Sequence, residues 1–130
     1  MINGSCLCGH IKFVINGEVK DIVCCHCSQC RKAQGSAFAT NGNVSSSQFS
    51  FISGEDNLSE YAYSESQSKF FCKTCGSPVI SKNTQQPENI RIRLGLIETD
   101  IHERPNAHIF VGSKANWETI CDDLPQHKEY

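Results

Sequence analysis

Seven of the nine cysteines fall into two groups whose spacing is typical of metal ligation. The first group joins two pairs that are far apart in sequence, Cys6 with Cys8 and Cys72 with Cys75. Two thiolates at C-x-x-C spacing bind one metal ion, and the glycine that follows, Gly76, allows the tight turn. A pair separated by one residue places both side chains on the same side of an extended segment. A structural zinc ion needs four ligands, so we predict that these four cysteines hold one zinc ion. Iron could also bind four thiolates, but zinc is the commoner metal in structural sites.

The second group is denser and differs in kind. In an extended segment Cys25 and Cys27 face one side, while Cys24 and His26 face the other. If Cys30 lies in the first turn of a helix, its thiol joins those of Cys25 and Cys27. Three protein ligands and an open fourth position are typical of catalytic zinc, because water or substrate binds there. We therefore predict a second, catalytic zinc ion on these three cysteines.

Other arrangements of the second group remain open. Cys24 or His26 could complete a closed site, Cys121 could reach it from the C-terminal end, or the three thiolates could hold a second structural zinc ion. Cys24 and Cys121 are more often small buried hydrophobic residues than ligands. His26 is a candidate proton shuttle, although an exposed position or one behind the ligands is the commoner role. The remaining histidines show no functional pattern; they are His10, His102, His108 and His127.

The elements that position these ligands are predicted to be mainly β-strands. Short alternating segments bounded by turn residues indicate strands at 11–15, 49–52, 61–63, 69–72, 79–81 and 90–94. The first of these is expected to enter a hairpin turn at Asn16 and Gly17. A short helix is expected over Ser28–Gln34, stopped by Gly35. One or two short helical turns therefore accompany small sheets.

Length and composition fit a single domain over residues 1–130 in which apolar burial is modest. Only 38% of the 130 residues are hydrophobic, so zinc is the expected additional source of stability. The N-terminal sequence lacks the apolar stretch of a secretory signal, and no apolar run is long enough to span a bilayer. We therefore expect a cytoplasmic protein with reduced thiols and no membrane partner.

Charge excludes one large class of partners. The formal net charge is −2 and no basic block is present, so we expect no nucleic-acid partner. An exposed strand edge leaves a homodimer possible.

The cysteine groups stand within a longer pattern. Gly4-Ser5-Cys6-Leu7-Cys8-Gly9 comes first, then Cys25-His26-Cys27-x-x-Cys30-Arg31-Lys32, then Phe71-Cys72-x-x-Cys75-Gly76, and finally segments 108–117 and 122–125. This order resembles the family of glutathione-dependent formaldehyde-activating enzymes over nearly the whole chain. The resemblance implies an Mss4-like fold of small antiparallel sheets. It also implies a structural zinc ion on Cys6, Cys8, Cys72 and Cys75, and a catalytic zinc ion on Cys25, Cys27 and Cys30.

The resemblance also implies a reaction. Family members add glutathione to formaldehyde to give S-hydroxymethylglutathione, so we expect a carbon–sulfur lyase-type enzyme that forms or cleaves such an adduct. No segment matches a glutathione-binding element. Basic side chains are candidates for contact with the thiol's carboxylates, although solvated surface charge is the more usual role for each; they are Arg31, Lys32, Arg91 and Arg93.

The competing interpretation is a non-catalytic zinc-binding module. Both metals would then be structural, and an exposed sheet face or the region of Trp117 would bind a protein partner. The number of protein ligands at the second zinc distinguishes the two, since four favour the module and three favour the enzyme.

Overall fold

Ten short strands and a single α-helix form the chain in the computed structural model, which describes residues 1–130. The strands are β1 Ile2–Ser5, β2 Lys12–Ile15, β3 Lys20–Cys25, β4 Ala39–Ser45, β5 Phe49–Ser53, β6 Leu58–Ala62, β7 Gln67–Cys72, β8 Pro78–Asn83, β9 Asn89–Arg93 and β10 Ala107–Ile109. The helix, α1, covers Ser28–Gln34, and single 3-10 turns lie at Ser46–Gln48, Glu55–Asn57, Leu94–Leu96 and Val111–Ser113. No helix has both the length and the apolar character needed to cross a membrane.

The strands form two sheets. The smaller sheet has the order β1-β2-β5 and the larger the order β10-β3-β4-β9-β8-β7-β6. All neighbouring strands are antiparallel except β10, which runs parallel to β3. The expected mainly β fold is confirmed, with the correction that the larger sheet is mixed.

Alternation along the strands gives the larger sheet one apolar and one polar face. Ile80 lies opposite Ile92 in the pairing of β8 with β9, and the next position pairs Ser81 with Arg91. Successive side chains of a strand point to opposite faces, so the isoleucines share one face and the polar residues the other. The apolar face belongs to the main hydrophobic core, which also includes Phe13 and other residues of the smaller sheet.

Most predicted elements are confirmed, and four strands are additional. The helix begins and ends where predicted, and Gly35 follows it in the left-handed conformation with φ of 67°. The strands that sequence reasoning missed are β1, β3, β4 and β10. In β4 the residues Asn41, Gly42 and Asn43 have low strand propensity. A β-carbon at Gly42 would overlap Val19 Cγ1, so glycine is present here for close packing.

The predicted hairpin at Asn16 and Gly17 is wrong. Both edges of β2 are already paired, with β1 on one side and β5 on the other, so β2 does not pair with the strand that follows it. The Asn16 amide donates instead to the Gln48 carbonyl at 2.8 Å, and a β-carbon at Gly17 would overlap the Gln48 side chain. The two residues therefore carry the chain from one sheet to the other.

Candidate metal centres and the adjoining cleft

The first four predicted ligands converge in space. Cys6 and Cys8 follow β1, Cys72 ends β7, and Cys75 lies in the turn before β8. Their Sγ atoms all lie within 4.8 Å of one another. The Sγ of Cys8 is 3.6 Å from that of Cys6 and 3.8 Å from that of Cys72. A tetrahedral zinc ion with Zn–S bonds of about 2.3 Å requires sulfur atoms about 3.8 Å apart, so this four-cysteine cluster fits zinc.

Neighbouring groups are arranged to favour thiolates in the four-cysteine cluster. The backbone amide of Ile11 donates to Cys6 Sγ at 3.3 Å, and the Asn57 side-chain amide donates to Cys72 Sγ at the same distance. The Ser77 hydroxyl lies 3.4 Å from Cys75 Sγ and lowers the pKa of that thiol to about 5. Hydrogen bonds to the charged form lower a thiol pKa and tune a metal site from behind its ligands.

The second predicted group also converges. Cys25 ends β3, Cys27 is the N-cap residue just before α1, and Cys30 lies in the first turn of the helix. Their Sγ atoms lie within 4.8 Å of one another. The backbone amide of Cys30 donates to Cys27 Sγ at 3.3 Å, and the Asn41 side chain approaches Cys30 Sγ at 3.8 Å. The hydrogen bond with Cys25 lowers the pKa of Cys30 to about 5. This three-cysteine cluster therefore offers three converging sulfur atoms that could hold a metal ion.

The other candidate ligands lie outside both clusters. Cys24 is buried, as expected of a small hydrophobic residue. Cys121 is exposed, so its predicted burial is wrong; the residues around it form irregular surface chain. His26 is fully buried, and its ring faces away from the thiols toward His108, as alternation along an extended segment requires. Of the two common roles considered for His26, the exposed position is therefore excluded.

A buried histidine pair links the region of the three-cysteine cluster to the surface. His26 Nε2 lies 2.8 Å from His108 Nδ1, and His108 Nε2 lies 2.9 Å from Asp122 Oδ2. An ionised carboxylate only accepts hydrogen bonds, so His108 donates through Nε2. With His108 neutral, its Nδ1 accepts from His26 Nε2, and His26 Nδ1 remains buried without a partner. Burial lowers the pKa of His26, and the hydrogen bond with His108 lowers the pKa of Asp122.

Sequence reasoning missed His108. It lies 82 positions from His26, and no spacing connects the two. The available signal was that His108 lies between the apolar residues Ala107 and Ile109, which suggests burial. A buried histidine needs a hydrogen-bond partner, but the sequence does not say which residue supplies it.

The three-cysteine cluster opens into a cleft of about 420 Å³ formed on the polar face of the larger sheet. Four cationic residues line the cleft, and no aspartate or glutamate does; they are Lys69, Lys82, Arg91 and Arg93. The ammonium group of Lys82 lies over the Phe70 ring, on the opposite face of the sheet from the other three cationic side chains. Arg93 is only 3% exposed, so the expectation that it is solvated surface charge is wrong. Burial lowers the pKa of Lys69, and nearby Arg93 adds to this effect.

Two of the predicted basic residues do not reach the cleft. Arg31 and Lys32 lie on α1, outside the residues that line it. Lys69 takes part instead. Nothing in the local sequence singles it out, because β7 is brought near β9 only by the pairing of both strands with β8.

The rim of the cleft includes a residue in an unusual backbone conformation. Phe110 lines the cleft with φ of 56° and ψ of 36°, which is the left-handed region. Its ring lies 6.4 Å from that of Tyr130, edge to face. The Phe110 amide donates to the Glu129 carbonyl at 2.8 Å, so the segment around Glu129 holds this turn in place.

Fold and site together define a class: a small, mainly β protein with two cysteine clusters that can each hold a metal ion, one of them beside a cationic cleft. The family model described as glutathione-dependent formaldehyde-activating enzyme matches residues 1–113. The chain belongs to this family, and the resemblance found in the sequence is confirmed. Residues 114–130, which contribute Asp122 and Tyr130 to the arrangement above, follow the matched range.

Among the proteins similar to this chain are a curated relative and a protein of known structure. One is an uncharacterized lyase of Schizosaccharomyces pombe, 37% identical over 76 residues, which are 57% of this chain and 52% of the relative. The chain thus spans about half the length of this curated relative. The other is a Rhodobacter sphaeroides protein whose crystal structure matches with a TM-score of 0.64 and 25% identity, over 77% of this chain and 91% of that one.

Proposed function

We propose that this protein is a zinc-dependent carbon–sulfur lyase-type enzyme that joins a thiol such as glutathione to a small aldehyde such as formaldehyde, and cleaves the resulting S-hydroxymethyl adduct. The observation that carries the proposal is the three-cysteine cluster at the cleft, where three thiols converge and a ligand can approach. Family membership and the name of the yeast relative, a lyase, support the same class of reaction.

In this proposal the two clusters hold one zinc ion each and serve different purposes. The four-cysteine cluster supplies a full tetrahedral set of ligands, which is typical of structural zinc. Cys25, Cys27 and Cys30 supply three ligands beside the cleft. A zinc ion held there would lower the pKa of an incoming thiol and orient it, and its three thiolate ligands would weaken its Lewis acidity toward a carbonyl oxygen.

The chain's own residues confine the reactants. Cys25 and Cys30 are buried among Ala39 and Ile109, which limits access of water from below the cluster. Asn41 approaches Cys30 Sγ and so helps to fix the orientation of this thiolate. Holding two reactants in contact replaces an encounter in solution, which accelerates addition of a thiol to an aldehyde.

The reaction balances without an oxidant or reductant. The sulfur electron pair forms the C–S bond, the π pair of the carbonyl moves to oxygen, and the oxygen takes up the proton that the thiol released. Cleavage is the reverse. No group supplied from outside the two reactants is consumed.

The test measures exchange between free glutathione, formaldehyde and their adduct, because the uncatalysed addition reaches the same equilibrium. Magnetisation transfer in ¹³C NMR, with labelled formaldehyde, gives the rate with and without zinc-loaded protein. We expect the wild-type protein to accelerate exchange and Cys25→Ser, Cys27→Ser and Cys30→Ser each to abolish the acceleration. Cys121→Ser is the matched control, because this exposed cysteine lies outside both clusters.

Two results would contradict the proposal. Acceleration retained in all three cluster variants would exclude the cluster from the reaction. No acceleration by wild-type protein that carries two zinc ions per chain would favour a module in which both metals are structural.

A further inference from the structure

The cations of the cleft follow the register of the sheet. Lys69 on β7 lies opposite Ser81 on β8, and Ser81 lies opposite Arg91 on β9. Arg93 is two positions beyond Arg91 and therefore points to the same face. It lies opposite Asn41 on β4, whose side chain approaches the three-cysteine cluster. The side chains of Arg93, Arg91 and Lys69 thus form a row that begins beside the cluster and extends along the cleft.

Three hydrogen-bond donor nitrogens in this row have no protein partner. One terminal nitrogen of Arg93, Nη2, donates to Ser81 Oγ at 2.7 Å, but its Nε and Nη1 are buried and unpaired. Arg91 Nε is also buried and unpaired. A guanidinium group stays charged when it is buried, and a buried charge without a partner is unfavourable. These donors therefore fit an anionic ligand.

The cluster itself does not account for all of the positive charge. Three thiolates and a zinc ion carry a net charge of −1, which a single guanidinium compensates. None of the four cations forms an ion pair with a carboxylate of the protein. Lys69 lies over the Tyr63 ring at 4.9 Å, a contact that leaves its ammonium charge available to a ligand in the cleft.

The absence of acidic residues has a second consequence. A thiol peptide such as glutathione carries two carboxylates and one ammonium group, and an ammonium group is recognised by carboxylates. The side chains that line the cleft include no carboxylate. The cleft is therefore suited to one sign of charge only.

We infer that the cleft is a carboxylate-binding subsite, which recognises an acidic thiol through its carboxylates, chiefly by Arg93 and Arg91, and does not recognise its amino group. This inference rests on the proposed function, because it assigns the thiol end of the ligand to the three-cysteine cluster. It names the chemistry by which the enzyme selects its thiol. Arginine is suited to the role, because its planar group donates two parallel hydrogen bonds to one carboxylate.

Binding is tested with ligands that cannot react. Isothermal titration calorimetry on the zinc-loaded protein compares S-methylglutathione with its N-acetyl derivative and with its dimethyl ester. Removing the charge of the amino group should leave affinity unchanged or raise it. Removing the carboxylate charges should weaken binding by about tenfold or more, since hydrogen bonds between charged groups are the strong ones.

Variants assign the effect to residues. Arg91→Gln and Arg93→Lys should weaken binding of S-methylglutathione, and neither should weaken binding of the dimethyl ester further. Arg93→Lys keeps the buried charge, and Arg91 is only partly buried, so melting curves should show both variants folded. Lys12→Gln is the matched control, because Lys12 is an exposed cation on the smaller sheet.

The outcomes separate this inference from the proposed function. A dimethyl ester that binds as tightly as S-methylglutathione, or an N-acetyl derivative that binds much more weakly, would overturn the inference even if glutathione turns over. Charge-dependent binding through Arg91 and Arg93 would support it even if no turnover is found. Millimolar inorganic phosphate should not compete; strong competition would overturn the carboxylate assignment in favour of a phosphate-bearing ligand.

Discussion

Replacing one cysteine by serine should prevent folding in the four-cysteine cluster but not in the three-cysteine cluster. Cys8 and Cys72 of the four-cysteine cluster are 64 positions apart in the chain, whereas Cys27 and Cys30 of the three-cysteine cluster are three apart. If the metal is treated as a cross-link, closing a loop of about 64 residues lowers the entropy of the unfolded chain, which stabilises the fold by about 4 kcal/mol. By the same relation, a loop of three residues stabilises the fold by only about 1.5 kcal/mol.

Burial adds to this difference. The side chain of Cys72 has no exposed surface and belongs to the main hydrophobic core, whereas Cys27 is partly exposed at the cleft. Zinc held by four thiolates contributes on the order of 10 kcal/mol to folding, comparable with the roughly 5–15 kcal/mol that stabilises a whole domain. We therefore expect Cys72→Ser to lose its cooperative unfolding transition, and Cys27→Ser to keep one within a few kcal/mol of the wild-type protein.

The assay combines thermal unfolding, followed by circular dichroism, with zinc analysis of the same samples. Wild-type protein should contain two zinc ions per chain, and Cys27→Ser one. Cys121→Ser controls for removal of a thiol as such, because it lies in neither cluster. A Cys72→Ser protein with an unchanged melting curve would refute the reasoning, as would a Cys27→Ser protein that fails to fold.

Three further substitutions test two buried hydrogen bonds and one close packing contact. Asn57→Ala removes the amide donor to the four-cysteine cluster, and should lower the free energy of unfolding by about 1–3 kcal/mol and speed zinc loss to a chelator. His108→Ala leaves Nε2 of buried His26 without a partner, and should cost about 1–3 kcal/mol in urea unfolding. Gly42→Ala places a β-carbon against Val19, and should lower stability by about 1–3 kcal/mol in thermal unfolding.

Each of these has a clear contrary result. Unchanged chelator kinetics in Asn57→Ala would mean that its hydrogen bond does not affect the metal. Wild-type stability in His108→Ala would mean that His26 finds another partner, such as water. Asp122→Ala removes only the partly exposed hydrogen-bond partner of His108, so it should lower the free energy of unfolding less than His108→Ala does. A neutral Gly42→Ala would show that Val19 can move aside.

Convergence of the thiols within each motif could be predicted from the sequence because the information is local. Spacing within Cys72–Cys75 and within Cys25–Cys30 is set by a few backbone torsions, and the helix that carries Cys30 has its own stop signal in Gly35. The pairing of Cys6 and Cys8 with Cys72 and Cys75 followed from counting ligands. These four thiols do converge, as do the other three.

The cleft could not be read in the same way, because it is made by sheet pairing. Alternation in Ile90-Arg91-Ile92-Arg93 correctly indicated two different faces, but not that the polar face is the base of a cleft in which Arg93 is buried. Only the order of the strands brings Lys69 level with Arg91. The strand β4 was missed because Asn41, Gly42 and Asn43 have low strand propensity. Gly42 is required there by close packing against Val19, which the sequence does not reveal.

The backbone of Phe110 places stability and ligand binding in opposition. An L-residue with a side chain costs about 1–2 kcal/mol in the left-handed region, and glycine does not. Selection for heat resistance alone would thus favour glycine at this position. The aromatic ring beside the cleft, with its contact to Tyr130, would then be lost. Variants chosen only for a higher melting temperature should accordingly be checked for substrate affinity, because this turn is one place where the two properties diverge.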